Sequence, residues 1–354
     1  MKKVIYISYA VCAIAMLALL FYMFGNLRVI ESNTREDNEY TQLRPYRTRV
    51  VKDSAAPIGI SKVFQFKVPA IGKGTKTLAF YSHHQDVVIY EENKVIYQRR
   101  VYQGNPFGRT SGQGWNDLTL YSEDSGKELT VVMSPEYSTE QDIDVTFYYG
   151  SKIKIWLHDV IRQLAPSILS LIAIVMGMIF VVFILVNIRN KKINRNLLFM
   201  GIFSICIGVW KITDAGILQL LFGNNILFSY ITFVSLLLCV IPFVLFMRTL
   251  FTDRESKGWD IVCLASLAVM VFSFVTQILN KGDMRETLPF NHAVMGVMAL
   301  VTVVQIVRQW KKQGMNRKLK LIFCCFLTCI VGLIGDTITC LLYTSPSPRD
   351  VEES

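Results

Sequence analysis

Apolar and polar positions divide the chain into three parts. One apolar stretch, residues 4–24, is followed by a long polar segment and then by apolar stretches that succeed one another up to residue 339. Each later stretch has the length of about 20 residues that a hydrocarbon core of about 30 Å requires. They cover residues 168–188, 197–221, 226–247, 261–279, 293–306 with its flanks, and 321–339. The pattern predicts a multi-pass α-helical membrane protein with a polar domain inserted between its first and second spans.

The polar segment alternates with period two and has no helical period. Alternating runs occupy residues 63–68, 78–82, 129–133 and 143–149, and residues 87–90 and 95–97 flank a polar turn like the arms of a hairpin. Short strands with Gly, Pro and Asn turns predict an all-β sandwich that resembles a jelly roll. We therefore expect an anchor at 1–27, an extracellular sandwich at 28–155, a bundle at 156–339 and a separate tail at 340–354.

Charge predicts the orientation in the membrane. The formal net charge is +10, and the excess of Lys and Arg lies beside the apolar stretches, at residues 2–3, 189–195 and 308–320. Basic residues next to spans mark cytoplasmic loops and face lipid head groups. We predict a multi-pass cell-membrane protein with a cytoplasmic N-terminus and residues 28–155 outside, with membrane lipids and not nucleic acid as partners.

Catalytic and metal-binding motifs are missing from the sequence. It contains no nucleotide-binding glycine loop, no His-Glu-x-x-His pair and no Gly-x-Ser-x-Gly turn. We therefore predict that this chain is not an enzyme and holds no cofactor. His83, His84 and Asp86 resemble a metal cluster, but neighbouring residues of a strand point to opposite faces, so we predict no metal site.

Charged residues inside the predicted spans are the first candidate ligand site. Lys211 and Asp214 are three residues apart on one helix face, Asp336 reaches a similar depth, and His292 begins its span from the outside. Intramembrane charges are costly and usually functional. Two interpretations stay open: a polar pocket beneath the outside domain, or a Lys211–Asp214 pair that neutralises itself while Asp336 and His292 lie near head groups.

A glycine-rich segment of the polar domain is the second candidate. Residues 105–115 contain Arg109 and Trp115, which suit stacking and hydrogen bonding with a sugar or another small polar ligand. The simpler interpretation, which we favour, is a turn whose aromatic residues cover the core.

The whole layout resembles the bacterial seven-transmembrane receptors with diverse intracellular signalling modules. The similar segments are residues 85–97, 114–120 with their Trp-Asn pair, 208–220 and 332–339. The resemblance implies an extracellular β-sandwich likened to carbohydrate-binding domains, and hence a small, carbohydrate-like extracellular ligand. It also implies a cytoplasmic output domain, often a GGDEF diguanylate cyclase or a histidine kinase, through which a homodimer would form.

The C-terminal part departs from that family in two ways. The family has seven spans after the sandwich and then an output domain, whereas this chain has six predicted spans and no such domain. Residues 340–350 resemble a reading frame of a transposase sequencing adapter, so we expect the natural sequence to stop near Thr339 and 340–354 to be an artefact.

Two other classes of protein compete with the receptor. One is a transporter or an intramembrane transferase that uses Lys211, Asp214 and Asp336. The other is an adhesion anchor, which would need only one span.

Overall fold

The computed structural model describes residues 40–72, 74–101, 109–140, 144–187, 196–251, 257–317, 319–324 and 326–327. The predicted first span at 4–24, Asp336 and the tail at 340–354 lie outside these residues, as does most of the predicted last span.

Two antiparallel sheets form the first part of the described chain. Their strands are β1 Tyr40–Gln42, β2 Arg47–Lys52, β3 Ile60–Lys67, β4 Lys76–His83, β5 Gln85–Glu91, β6 Lys94–Arg99, β7 Gln113–Leu120, β8 Glu128–Pro135 and β9 Phe147–Gly150. One sheet has the order β1-β9-β4-β7, and the other has the order β2-β3-β8-β5-β6. This confirms the predicted β domain, including the hairpin, in which β5 pairs with β6 around Glu92 and Asn93.

One aromatic core joins the two sheets. Phe64 and Phe66 of β3 both point inward because residues two apart in a strand share a face. The ring of Phe147 on the opposite sheet lies 5.0 Å from that of Phe64 and 4.6 Å from that of Phe66. Full burial of such a ring stabilises the domain by about 1.5–3 kcal/mol. The alternation in the sequence therefore identifies the inner face correctly.

Helices make up the rest of the described chain. The labelled helices are α1 Lys152–Val186, α2 Asn196–Asp214, α3 Ile217–Phe222, α4 Asn225–Leu250, α5 Lys257–Ile278 and α6 Met284–Gln313, and residues 317, 319–324 and 326–327 are helical as well. Of the labelled helices, all except α3 are long and apolar enough to span a membrane. Helix α2 packs on α1 and α4, and α6 packs on α5 and α4.

Helix α1 begins much earlier than the predicted span at 168–188. Its first residue is Lys152, and its 35 residues correspond to about 52 Å, which exceeds the hydrocarbon thickness of about 30 Å. The additional turns carry charged residues such as Asp159 and Arg162. A search for uniformly apolar stretches therefore misses them, although they carry α1 up to the sandwich.

The predicted span at 197–221 is divided in two. Helix α2 ends at Asp214, and Gly216 then has a φ of +81° before α3 begins. This left-handed conformation favours glycine and ends a helix. The break gives the chain a short helix, α3, that packs on β7 as well as on α2 and α4.

Glycines let α1 and α2 approach closely. A Cβ atom built on Gly177 would lie 2.6 Å from the carbonyl oxygen of Gly201, and one on Gly208 would lie 2.6 Å from the carbonyl oxygen of Ser170. Small residues at such crossings are typical of helices that pack within membranes.

Replacing Gly208 by alanine is expected to force these two helices apart. Overpacking of this kind costs about 1–3 kcal/mol, and the obstructing atom is backbone that cannot rotate away. Gly296→Ala in α6 is the matched control, because an added Cβ meets no atom within 4 Å there. Thermal unfolding followed by circular dichroism should show a lower midpoint for Gly208→Ala only. Equal midpoints for the two variants would contradict the close crossing.

Candidate functional site

The sandwich rests on one end of the helices, and we call this contact region the joint. Its centre is the backbone of residues 112–114, where β7 begins. A Cβ atom on Gly112 would lie 2.7 Å from the carbonyl oxygen of Asn225, the first residue of α4, and one on Gly114 would lie 2.7 Å from its side-chain oxygen. The Gln113 N–H donates to Ser229 Oγ at 3.2 Å. The two parts therefore touch backbone to backbone.

Asp283 is the buried carboxylate of the joint. It is the N-cap residue of α6, and its backbone N–H donates to Glu286 Oε2 at 2.9 Å. Its carboxylate accepts hydrogen bonds from Tyr137 Oη at 2.6 Å, from the Arg109 N–H at 3.1 Å and from Gln277 Nε2 at 3.3 Å. Two of these donors belong to the sandwich, so one side chain connects the sandwich to the start of α6.

Two ion pairs reinforce this connection. Arg109 Nη2 lies 2.7 Å from Glu286 Oε2, and Arg285 Nη2 lies 2.5 Å from Glu140 Oε1. The Arg109 pair is solvent-exposed and therefore weak. Glu140 is only 4% exposed, so its pairing with Arg285 satisfies a charge that would otherwise be costly to bury.

Helix α1 contributes the other side of the joint. Trp115 Nε1 donates to Asp159 Oδ2 at 2.8 Å, and Lys152 forms an ion pair with Asp117. The Trp115 ring also packs edge-on against Tyr81, with 5.8 Å between ring centroids. The early turns of α1 thus bond to the side chains of β7.

His84 lies where the chain crosses from one sheet to the other, with a φ of +48°. Its Nδ1 lies 2.8 Å from Thr110 Oγ1, and its ring stacks on Phe233 of α4 at 5.7 Å. Burial lowers the pKa of His84 from 6.5 to about 3, so the ring is neutral at pH 7. Within the described residues no three His, Cys, Asp or Glu side chains are arranged to hold a metal ion.

Glu136 makes the joint sensitive to pH. Burial first, and then the charges of Asp86 and Asp283, raise the pKa of the Glu136 carboxyl from 4.5 to about 8, against the opposing effect of Arg109. The folded protein therefore keeps this proton over a pH range in which the unfolded chain releases it. Stability from this group is complete below pH 4.5 and declines as the pH rises towards 8.

Glu136→Gln is expected to remove that decline. The variant's thermal midpoint should equal that of the wild type near pH 4.5, exceed it increasingly as the pH rises to about 8, and exceed it by a constant amount above that. Thermal unfolding at a series of pH values measures the difference. A difference that does not change with pH would show that Glu136 does not hold its proton in the folded state.

A cleft of about 720 Å³ opens in the joint between the sandwich and the helices. The sandwich lines it with Tyr97, Arg100 and Trp115, and the helical part lines it with Trp156 and with residues 219–220 and 222–226. Cavities of this size with aromatic walls and a few polar groups are typical of small-molecule sites.

Arg99, at the end of β6, fixes the wall of this cleft from inside the sandwich. Its Nη2 donates to the carbonyl oxygens of Ser111 at 2.9 Å and Gly112 at 3.1 Å, and its Nη1 donates to that of Gly114 at 3.3 Å. Gly112 and Gly114 are the residues that lie on Asn225. Arg99 therefore holds the docking backbone in shape.

The residues predicted from the sequence reach different places. Arg109 and Trp115 both lie in the joint, where each bonds to a helix residue. Asp214, at the end of α2, is exposed and accepts a bond of 3.5 Å from Gln113 Nε2. Lys211 is also exposed, and its Nζ lies 4.3 Å from the centroid of the Trp210 ring. His292 is exposed on α6.

The structure does not pair Lys211 with Asp214 among the residues it describes. The polar pocket of four groups has no counterpart within the same residues, and its fourth member, Asp336, lies outside them.

Sequence reasoning missed several residues of the joint. Tyr137 and Asp283 bond across 146 positions of the chain, and Glu140 and Arg285 bond across 145. Arg99 bonds to backbone 12 to 15 positions away, in a stretch without a motif that identifies an arginine partner. Asp283 alone carries a local signal, since Asp283 and Glu286 have the spacing of a capping box at a helix start.

Fold and site together define a two-sheet β domain docked on helices that are long and apolar enough to span a membrane. No protein-family model matches this chain, and no curated protein matches it. What the joint can do therefore follows from its own residues.

Proposed function

We propose that the protein is the sensory and membrane-spanning part of a bacterial receptor. In this proposal a jelly-roll-like sandwich lies outside the cell, inserted between the first span at 4–24 and α1, and the N-terminus is cytoplasmic. A small extracellular ligand enters the cleft of the joint, and the helices carry the effect across the membrane. The basic flanks of the apolar stretches and the two sheet orders support this arrangement.

One observation carries the proposal: the cleft has walls from both parts of the protein. Trp115 belongs to the sandwich and Trp156 to α1, and both line it. A ligand between them contacts the sandwich and the helices at once. The ligand can shift the equilibrium between two arrangements of the joint only if its affinity differs between those arrangements. A cleft between the sandwich and the helices provides such a difference, because its shape changes when the two parts move.

Helix α6 is the element that would transmit the shift. Its N-cap Asp283 is bonded to Tyr137 of the sandwich, and its 30 residues extend for about 45 Å. A movement of the sandwich that breaks or lengthens this bond acts directly on the start of α6. In the receptor that we propose, the other end of the bundle would contact a cytoplasmic output domain. By resemblance this domain is a diguanylate cyclase or a histidine kinase, and the receptor forms a homodimer through it.

Hydrogen exchange tests the relay without a ligand. Tyr137→Phe deletes the hydroxyl that donates to Asp283, so we expect amide exchange at the far ends of α5 and α6, residues 257–262 and 306–313, to become several-fold faster in nanodiscs. Tyr121→Phe is the matched control, because Tyr121 is exposed on the sandwich away from the joint. Faster exchange confined to the joint would reject the relay and leave Tyr137 a purely structural residue.

One observation favours the transporter as a second candidate. Buried polar side chains follow a single face of α6 at helical spacing, namely Thr287, Asn291, Thr302, Gln305 and Gln309. A receptor needs such groups only as contacts between helices, whereas a transporter would need them as a path. Thr302→Val distinguishes the two classes. In a receptor it should leave unchanged the effect of Tyr137→Phe on amide exchange at the far ends of α5 and α6. In a transporter it should abolish solute movement, which is measured as uptake into proteoliposomes.

A further inference from the structure

Two residues that line the cleft, Gln219 and Trp156, carry buried polar atoms that lack a hydrogen-bond partner within the described structure. Gln219 is 3% exposed, and its Nε2 donates to the Thr213 carbonyl oxygen at 2.6 Å while its Oε1 accepts no hydrogen bond. The buried Nε1 of Trp156 likewise has no acceptor. Buried polar groups in proteins are normally satisfied. The cleft thus offers one acceptor and one donor to a ligand that carries both.

The charge of the cleft is positive. Arg99 and Arg100 line it together with the carboxylate of Asp117, which is already paired with Lys152. The Lys152 ammonium also lies 4.5 Å from the centroid of the Trp156 ring. Asp86 acts electrostatically on both arginines, and Asp53 acts on Arg100, so their charge is partly balanced. The lining itself still has two arginines and one carboxylate that Lys152 already pairs, which favours an anionic group in the cleft.

The helix side of the cleft is bordered by exposed apolar side chains. Phe222 lines the cleft and is 71% exposed, and its neighbour Leu221 is 67% exposed. Ile153 is exposed on the same face of α1 as Trp156, three residues before it along the helix. These side chains lie at the ends of helices that are apolar enough to cross a membrane, where a bilayer would begin.

We propose that the cleft binds an anionic, hydroxyl-bearing amphiphile from the outer leaflet. This inference rests on the proposed function, since it requires the joint to lie at the outer membrane surface. A phosphate-containing head group occupies the cleft, accepts from Trp156 Nε1 and faces Arg100, and a head-group hydroxyl donates to Gln219 Oε1. The acyl chain leaves along Leu221 and Phe222 into the bilayer. A head group carrying both acceptors and donors satisfies both of the unpaired atoms.

Titration with a defined lipid tests the assignment. The full chain in phosphatidylcholine nanodiscs is titrated with lysophosphatidylglycerol, and tryptophan emission reports binding because Trp115 and Trp156 line the cleft. We expect a saturable change that lysophosphatidylcholine, with the same chain and a zwitterionic head, does not produce. Glycerophosphoglycerol, which is lysophosphatidylglycerol without its acyl chain, should bind at least about tenfold more weakly because it buries no apolar surface.

Matched variants locate the site. Arg100→Gln and Phe222→Ser should each weaken binding about five- to tenfold. Arg162→Gln and Ile278→Ser change an equally exposed charge and an equally exposed apolar residue outside the cleft, and they should leave the affinity within about twofold. All four positions are on the surface, and an unchanged thermal midpoint verifies that each variant is folded.

Each outcome decides one element of the inference. Equal binding of lysophosphatidylcholine would overturn the anionic head group, and equal binding of glycerophosphoglycerol would overturn the amphiphile in favour of a soluble anion. Equal effects of Phe222→Ser and Ile278→Ser would overturn the location. Selective lipid binding without the hydrogen-exchange relay would support the lipid site and reject the receptor, so the two proposals fail separately.

Discussion

Asp283→Ala should lower the stability of the docked protein by about 3 kcal/mol and release the sandwich from α6. Two losses add up. An Asp N-cap replaced by alanine costs about 1 kcal/mol, and the hydroxyl of Tyr137 and the amide of Gln277 lose a buried acceptor, at about 1–3 kcal/mol. Because the carboxylate is shared by both parts of the protein, its removal weakens the joint and the start of the helix together.

A graded series separates these two losses. Asp283→Asn keeps a capping oxygen, and asparagine caps helices as well as aspartate does, so this variant should lose only part of the stability. Asp144→Asn, at a fully exposed position of the sandwich, should lose none. Thermal midpoints measure stability, and amide exchange of residues 284–288 measures the helix start. If Asp283→Ala behaves like Asp144→Asn, the carboxylate does not hold the joint.

The sandwich was predictable because its information is local in the sequence. Phe64 and Phe66 are two residues apart, and this spacing alone assigns them to one face. The hairpin between β5 and β6 is likewise contained in a few consecutive residues, with Glu92 at a φ of +53° in its turn. The long apolar helices were predictable for the same reason, since composition over about 20 residues is enough to identify them.

The joint was not predictable because its information is distributed over the chain. Arg99 donates to carbonyl oxygens of residues 111, 112 and 114, and nothing in the sequence around Arg99 distinguishes it from a solvent-exposed arginine. Glu140 and Arg285 are 145 positions apart. Arg99 meets its partners once the sandwich has folded, whereas Glu140 and Arg285 become neighbours only after the sandwich has docked on the helices.

Spacing was misleading where a nearer partner competed. Lys211 and Asp214 have the separation of an ion pair on a helix, yet the Lys211 ammonium lies over the ring of the adjacent Trp210. Asp214, the last residue of α2, turns instead towards Gln113 of the sandwich. The break at Gly216 makes this possible, because it places Asp214 at a helix end and not in the middle of a span.

Gly112→Ala is expected to open the joint, and the chain offers a close control for it. Gly112 has a φ of +76° and Gly126 a φ of +79°, so an alanine at either position meets the same backbone strain of about 1–2 kcal/mol. Only at Gly112 would the new methyl group also meet another part of the protein, 2.7 Å from the Asn225 carbonyl oxygen. An alanine Cβ at Gly126 meets no atom within 4 Å.

The difference between the two variants therefore isolates the contact between sandwich and helices. We expect Gly112→Ala to be less stable than Gly126→Ala by about 1–3 kcal/mol, the usual cost of overpacking. Its cleft should also lose its shape, because Asn225 and Trp115 both line it. Thermal midpoints and the tryptophan response to lysophosphatidylglycerol measure the two effects. If both variants respond alike, the sandwich can move away from α4 without consequence, and the close backbone contact is not what couples the two parts.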